Sequence, residues 1–252
     1  MKRILIRADD LGFSRGINLG IADTVKAGLI RSVGVMANME EAASGVEMIK
    51  GYDVCLGQHT NICAGRPLSD PSLIPSLVQE NGEFRTSKEY RENFKNGNDI
   101  VNVDEAVIEI EAQYEEFKKL TGEKPHYFEG HAIASVNFMK ALAIVAKRHQ
   151  LKMPPMSFDT ELLDFNGRKL RMTIDSMAPD YDPYASLKRL VNDPNEEITE
   201  IFVAHPGYLD AYILRVSSLT LNRVKEVEML CDPKMIDWIR KQNVELITYD
   251  EL

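Results

Sequence analysis

Short apolar runs alternate with stretches of helical periodicity along most of the 252-residue chain. The first run, Ile4-Leu5-Ile6, reads as a strand buried on both faces. It ends in adjacent carboxylates, Asp9 and Asp10, and Gly12 permits a tight turn behind them. Ser14 is placed to cap a helix that runs to Gly28, with Ile17, Ile21, Thr24 and Val25 in step. Ser32 to Met36 predicts a second strand, ending at Ala37-Asn38. Met39 to Ile49 predicts a helix. Asp53 to Gly57 predicts a third strand, which delivers Gln58-His59-Thr60-Asn61. The alternation of strand and helix is the signature of a parallel sheet.

Residues 62–101 break the pattern with Pro67, Pro71, Pro75, Gly65, Gly82 and Gly97. An irregular piece this long after a barrel strand predicts a lid or a substrate wall. Periodicity returns in a helix from Val103 to Leu120. Asn102 and Glu105 resemble a capping box at its start, and Gly122 ends it. Tyr127 to Glu129 predicts a fourth strand, ending at Gly130-His131, and Val136 to His149 a helix. The pattern is weak over residues 151–183, where Pro154-Pro155, Asn166-Gly167 and Pro179 mark turns and Lys169 to Ile174 fits a strand. Tyr184 to Val191 is a predicted helix. Glu200 to Ala204 is a predicted strand that ends at His205-Pro206-Gly207. Helices over Ser217–Leu230 and Pro233–Gln242 and a strand over Val244–Thr248 complete the chain. No repeat or linker interrupts it, so residues 1–252 are expected to form one α/β domain.

Composition narrows the function classes. The formal net charge of −9 argues against nucleic-acid binding, which needs clustered basic residues. No run of 18 apolar residues predicts a membrane span. The N-terminal MKRILIRADD is too soon charged for a signal peptide, and a reducing cytoplasm is expected. Cys55, Cys63 and Cys231 are odd in number and lack CxxC spacing, so no disulfide framework is predicted. Cys55 reads as strand core; the role of Cys63 stays open.

The chemistry gathers at strand ends. Asp9, Asp10, His59, His131 and His205 all fall there. In a parallel barrel the C-terminal strand ends form one rim, and that rim carries the active site. Two imidazoles and one carboxylate make a hydrolytic metal site with open positions for water and substrate. One aspartate can bind the ion while its neighbour takes a proton from water. His205 fits, by elimination, as the donor to a leaving amine. His126 and His149 read instead as a solvated loop residue and a cation at a helix C-terminus.

Several segments together carry a family resemblance: Ala8-Asp9-Asp10-Leu11-Gly12, Ser32 to Asn38, Leu56 to Asn61 with Gly65-Arg66-Pro67-Leu68, Asn81 to Phe84, the stretch around His131, and Ala204 to Tyr208. The chain resembles the YdjC-like (ChbG-type) carbohydrate deacetylases along nearly its whole length. The resemblance implies a distorted (β/α) TIM-like barrel with parallel strands. It implies removal of the N-acetyl group from an acetylated amino sugar or chitooligosaccharide. It further implies one divalent ion, magnesium or zinc, on Asp10, His59 and His131, with Asp9 as base and His205 as acid. Asn38, Asn61 and Arg66, from the shared motifs, are expected to touch the substrate, and a homodimer is expected. Two departures stand out. The usual Asp-x-His-x-His-x-His reads Glu129-Gly130-His131-Ala132-Ile133-Ala134-Ser135 here, and Arg7 stands where Asn is common. Competing readings are a metal-dependent phosphoesterase, with Arg7 and Arg66 on phosphate, and a catalytically silent sugar-binding or regulatory module. A two-carboxylate glycosidase fits poorly, because its acids stand roughly 5–10 Å apart.

Overall fold

The computed structural model describes residues 1–155 and 162–252. Eight strands among them form one sheet: β1 (Lys2–Leu11), β2 (Ser32–Val35), β3 (Cys55–Thr60), β4 (Tyr127–Gly130), β5 (Leu162–Phe165), β6 (Arg168–Thr173), β7 (Ile198–Ala204) and β8 (Val244–Ile247). The order β4-β3-β2-β1-β7-β6-β5 curls into a distorted TIM-like barrel. Its pairs are parallel except β5 with β6, a hairpin turned by Asn166 and Gly167 at φ 55° and 79°. That is a departure from an all-parallel sheet, and two positive φ angles at Asn-Gly are what such a tight turn demands.

The distortion has a local cause at β1. One edge of β1 pairs with β7. The other edge is shared: Lys2–Leu5 pair with β8, and Arg7–Leu11 pair with β2. Both edges of β1 are therefore paired, and both of its faces are buried as well. Ile4, Ile6 and Ala8 pack into the main core under the helices, while Leu5 points into a second cluster with Tyr127, Ile201, Val203 and Tyr249 inside the barrel. The period-2 alternation then carries Arg7 and Asp9 upward on the inner face.

The helices are α1 (Arg15–Ala27), α2 (Ala42–Met48), α3 (Ser87–Lys95), α4 (Val103–Thr121), α5 (Val136–His149), α6 (Pro183–Asn192), α7 (Ala211–Val216), α8 (Leu221–Cys231) and α9 (Pro233–Arg240). Ser14 caps α1 through the Ile17 N–H, and Gly28 ends it at φ 95°. The capping box expected at α4 does not form. Asn102 accepts from the N–H groups of both Asp104 and Glu105, and the Glu105 carboxylate accepts from the Ser76 N–H instead.

Residues 62–101 are folded. Ile62, Ile74, Leu77, Phe84 and Tyr90 pack against α4 and α5. Helix α3 begins with a true capping box, Thr86 with Glu89. Its Thr-x-x-Glu pattern was legible in the chain. Among the described residues, no helix is long and apolar enough to cross a membrane.

Candidate active site

The paired aspartates do not sit past the end of a strand. They lie inside β1, at a register shift between Ala8 and Leu11 where Asp10 takes φ 77°. Regular pleating would send neighbouring side chains to opposite faces. The irregularity, with one residue in the left-handed region that Asp tolerates, brings both carboxylates to the same cluster. His59 comes from β3, Glu129 and His131 from the end of β4, and His205 from just beyond β7. Gly34 of β2 leaves the space: a Cβ there would lie 2.9 Å from Glu129 Oε1, 3.1 Å from Asp9 Oδ1 and 3.1 Å from the His59 Cβ.

Three donors converge. Asp10 Oδ1 lies 3.1 Å from His59 Nε2 and 3.0 Å from His131 Nδ1, and the two ring nitrogens are 2.9 Å apart. Asp10 Oδ1 is fully buried and has no hydrogen-bond donor. Donors set at right angles around an ion with bonds of about 2.1 Å stand about 3.0 Å apart, which is this spacing. The donor set therefore fits one divalent cation. A second trio, Asp9, His59 and Glu129, also lies close together. Both Asp9 oxygens and Glu129 Oε2 already face Arg7, and Glu129 Oε1 faces His59 Nδ1, whereas Asp10 Oδ1 faces only the two ring nitrogens, so the Asp10 trio is the better cation site.

Buried charges hold the trio in place. Arg7, 2% exposed, puts Nε and Nη2 each 2.7 Å from an Asp9 oxygen and Nη2 2.8 Å from Glu129. Its Nη1 donates to the Tyr249 hydroxyl at 2.6 Å. Glu129 in turn meets His59 Nδ1 at 2.7 Å, which leaves Nε2 facing the cation position. On the far side Arg223 donates from Nη2 to Asp10 Oδ2 at 2.7 Å and from Nε to the Leu219 carbonyl. Burial alone would raise the Asp10 carboxyl, but Arg223 and His131 outweigh it and hold it well below the usual carboxylate range. Burial pushes Asp9 upward against the pull of Arg7. Burial opposes a charge on His59, yet Glu129 and Asp9 carry it well above the ordinary imidazole value. The same negative field attracts a metal cation.

His205 stands beside this cluster rather than in it. Its Nδ1 lies 3.2 Å from Ser176 Oγ, and its backbone N–H donates to Glu226 at 2.7 Å. Burial pulls the ring down to about 4 against Asp10 and Asp9, so it is neutral at neutral pH. Glu226 is itself fully buried, accepts from the Tyr181 hydroxyl, and is lifted by burial from 4.5 to about 7. A raised carboxyl stabilises the fold most below its unfolded value, and that contribution is lost as pH rises through its folded one. Glu226→Gln removes the charge, and its amide can still accept from the His205 N–H while its NH2 donates to the Tyr181 hydroxyl. Its stability relative to wild type, read by urea denaturation, should therefore improve as pH rises from about 4.5 to beyond about 7.

The remaining candidates are not brought to the cation position. Asn61 donates to Asn38 Oδ1 and to the Ala64 carbonyl, and Asn38 donates to the carbonyls of Ala64 and Arg66. Together they hold the turn after β3. The Arg66 guanidinium lies over Gly82. His149 stacks on Tyr114 and pairs with Glu111, a structural role. His126 is not simply solvated, because its Nδ1 meets Asp250. Cys63 is buried among the apolar residues of the 62–101 segment. Sequence reasoning missed Glu129, Arg223 and Glu226 as site residues. Arg223 and Glu226 lie on a helix whose spacing alone reads as a solvated face. Glu129 was visible as the acid two residues before His131.

A profile of the YdjC-like protein family matches residues 3–241. The chain is 32% identical over 259 residues to carbohydrate deacetylase 2 of Listeria innocua, covering 99% of this chain and 98% of the relative. It is 27% identical over 261 residues to a chitooligosaccharide deacetylase of Proteus mirabilis, covering 99% and 98%. In three dimensions it matches a solved Enterococcus faecalis structure described as a candidate cellobiose-phosphate cleavage protein. The TM-score is 0.80, at 21% identity, over 99% of this chain and 98% of that one. That last likeness speaks for the fold alone. With a family match spanning the barrel and the cluster within it, the chain belongs to the YdjC-like family, and the curated relatives it matches are named as carbohydrate deacetylases, hydrolases of amide C–N bonds.

Proposed function

We propose that the chain hydrolyses the N-acetyl amide of an acetylated amino sugar or chitooligosaccharide and releases acetate. One divalent ion, magnesium or zinc, would be held by Asp10, His59 and His131. The observation that supports this most is the three-donor triangle standing beside a separately held carboxylate, Asp9. A divalent ion in such a site supplies Lewis acidity towards a carbonyl oxygen and makes water nucleophilic near neutral pH.

The chain's own groups do the rest. Arg7 fixes both oxygens of Asp9, and burial raises the basicity of that carboxylate, as a proton acceptor near neutral pH requires. Asp9 takes the proton of the attacking water. His205 delivers a proton to the departing nitrogen. Because its ring is neutral at rest, it must gain a proton during turnover before it can give one. Glu129 and Arg223 orient His59 and Asp10 and act through them. Asn38, Asn61 and Arg66 shape the wall on which the sugar would rest. The protein is read as one domain of 252 residues, working in the cytoplasm, with a homodimer as its assembly.

The phosphoesterase alternative loses ground. Arg7 is buried and turned towards Asp9, Glu129 and Tyr249, so it does not present its guanidinium to a phosphate. A silent binding module has no use for a positioned base. The test is acetate release from di-N-acetylchitobiose and from N-acetylglucosamine, by protein stripped of metal and reloaded with zinc or magnesium. Metal-dependent acetate is expected, and its absence despite one bound ion at this site would refute the reading. His131→Ala should weaken ion binding there by more than about 100-fold, since even outer partners of a ligand commonly cost 10–100-fold. Equilibrium dialysis measures this directly.

A further inference from the structure

At the opposite end of β3 from His59 a second mixed donor cluster forms. Cys55, His126 and Asp250 offer ligand atoms that all lie within 4.8 Å of one another. They come from three places: the first residue of β3, the residue before β4, and the C-terminal turn Tyr249–Glu251. His126 Nδ1 is 2.8 and 2.9 Å from the two Asp250 oxygens, and Glu123 Oε2 is 3.6 Å from His126 Nε2. The turn that carries Asp250 is held firmly. Thr248 and Glu251 cap it, Lys152 donates to the carbonyls of Tyr249 and Asp250, and Tyr249 stacks on Tyr127 at 3.8 Å. The His126 N–H donates to the Leu56 carbonyl, so that residue is fixed to β3 as well.

We infer that Cys55, His126 and Asp250 form a second cation site, of structural type, for zinc or a similar borderline-soft divalent ion. Thiolate, imidazole and carboxylate together select such ions over magnesium or calcium. Cys55 is 5% exposed and packs at the edge of the inner apolar cluster, while the side chains of His126 and Asp250 are 31% and 52% exposed. An ion can therefore enter from the solvent side and meet the thiol last. On binding, the Cys55 S–H bond breaks, its proton leaves to solvent, and a sulfur–metal bond forms. The ion would tie the C-terminal turn to the entry ends of β3 and β4. Four residues of strand, about 13 Å, separate Cys55 from His59, so the two sites are distinct.

Cobalt(II) separates them by colour, because a thiolate ligand produces an intense near-ultraviolet charge-transfer band and the Asp10 site contains no sulfur. The experiment adds cobalt(II) to metal-stripped full-length protein and follows that band together with bound metal per chain. The expected result is two ions per chain with the band in wild type. His131→Ala should keep the band and one ion, while Cys55→Ser loses the band and keeps one. Asp250→Asn, a partly exposed change that leaves the core intact, should weaken the band's titration by at least about 10-fold, and it decides the matter if Cys55→Ser does not fold. No band in wild type would overturn the inference. So would a band that persists in Cys55→Ser, because the sulfur would then be Cys63 or Cys231.

Discussion

Asp9→Asn should abolish most turnover while leaving the cation bound. The expected fall in kcat is about 10²–10⁴-fold, the usual contribution of a positioned base. The amide keeps the shape of the carboxylate and still offers an oxygen to Arg7, but it cannot take a proton at neutral pH. None of the three donors in the cation triangle belongs to Asp9, so metal content should remain at the wild-type level. KM should change little, because the loss falls on the chemical step. Acetate release under saturating substrate, beside metal analysis of the same sample, makes the check. Unchanged kcat in a metal-loaded variant would remove Asp9 as the base. Loss of the metal would mean that Asp9 is a ligand and that the roles of the two aspartates are exchanged.

The difference between the two aspartates was only partly legible in the chain. The apolar run before them predicted a buried strand, and the spacing of the other strands predicted which histidines share its end. What the chain concealed was the backbone at Asp10. A strand-end turn and an irregularity within a strand look alike when two acids precede Leu-Gly, and only the register against β2 tells them apart. Gly34 is similar: inside an apolar run it reads as a strand residue, yet it is the space into which three polar side chains fit. Arg223 and Glu226 were hidden for another reason. Charged residues three apart on a helix usually face water. These two turn inward because Asp10 and the His205 N–H wait there, a long-range pairing that no local pattern encodes. Helix α3 is encoded locally by the Thr86 and Glu89 capping pair, but the prolines and glycines around it make residues 62–101 resemble a loop in sequence.

Arg7 is the residue on which the largest stability effect should fall. It is the shared cation of Asp9 and Glu129, and all three side chains are less than a tenth exposed. Replacing it by Met keeps much of the volume and removes the charge. Two carboxylates would then remain buried with no arginine between them. Breaking one partner out of a buried ion pair costs about 3–5 kcal/mol. The stacked pair Tyr127 and Tyr249 would stay in contact, so the loss is electrostatic rather than a cavity. The pH dependence tests that cause. In the variant, burial and mutual repulsion raise the carboxyls of Asp9 and Glu129 above their unfolded values. Raised carboxyls stabilise the fold below the unfolded value, and that contribution is lost as pH rises through the folded one. The gap between wild type and Arg7→Met should therefore widen as pH rises from about 4 to about 7, the range in which such carboxyls titrate. Urea denaturation at several pH values, with the metal removed from both proteins, reads the gap. A constant gap would mean that Arg7 acts through packing against the two tyrosines, with no net electrostatic role in the cluster.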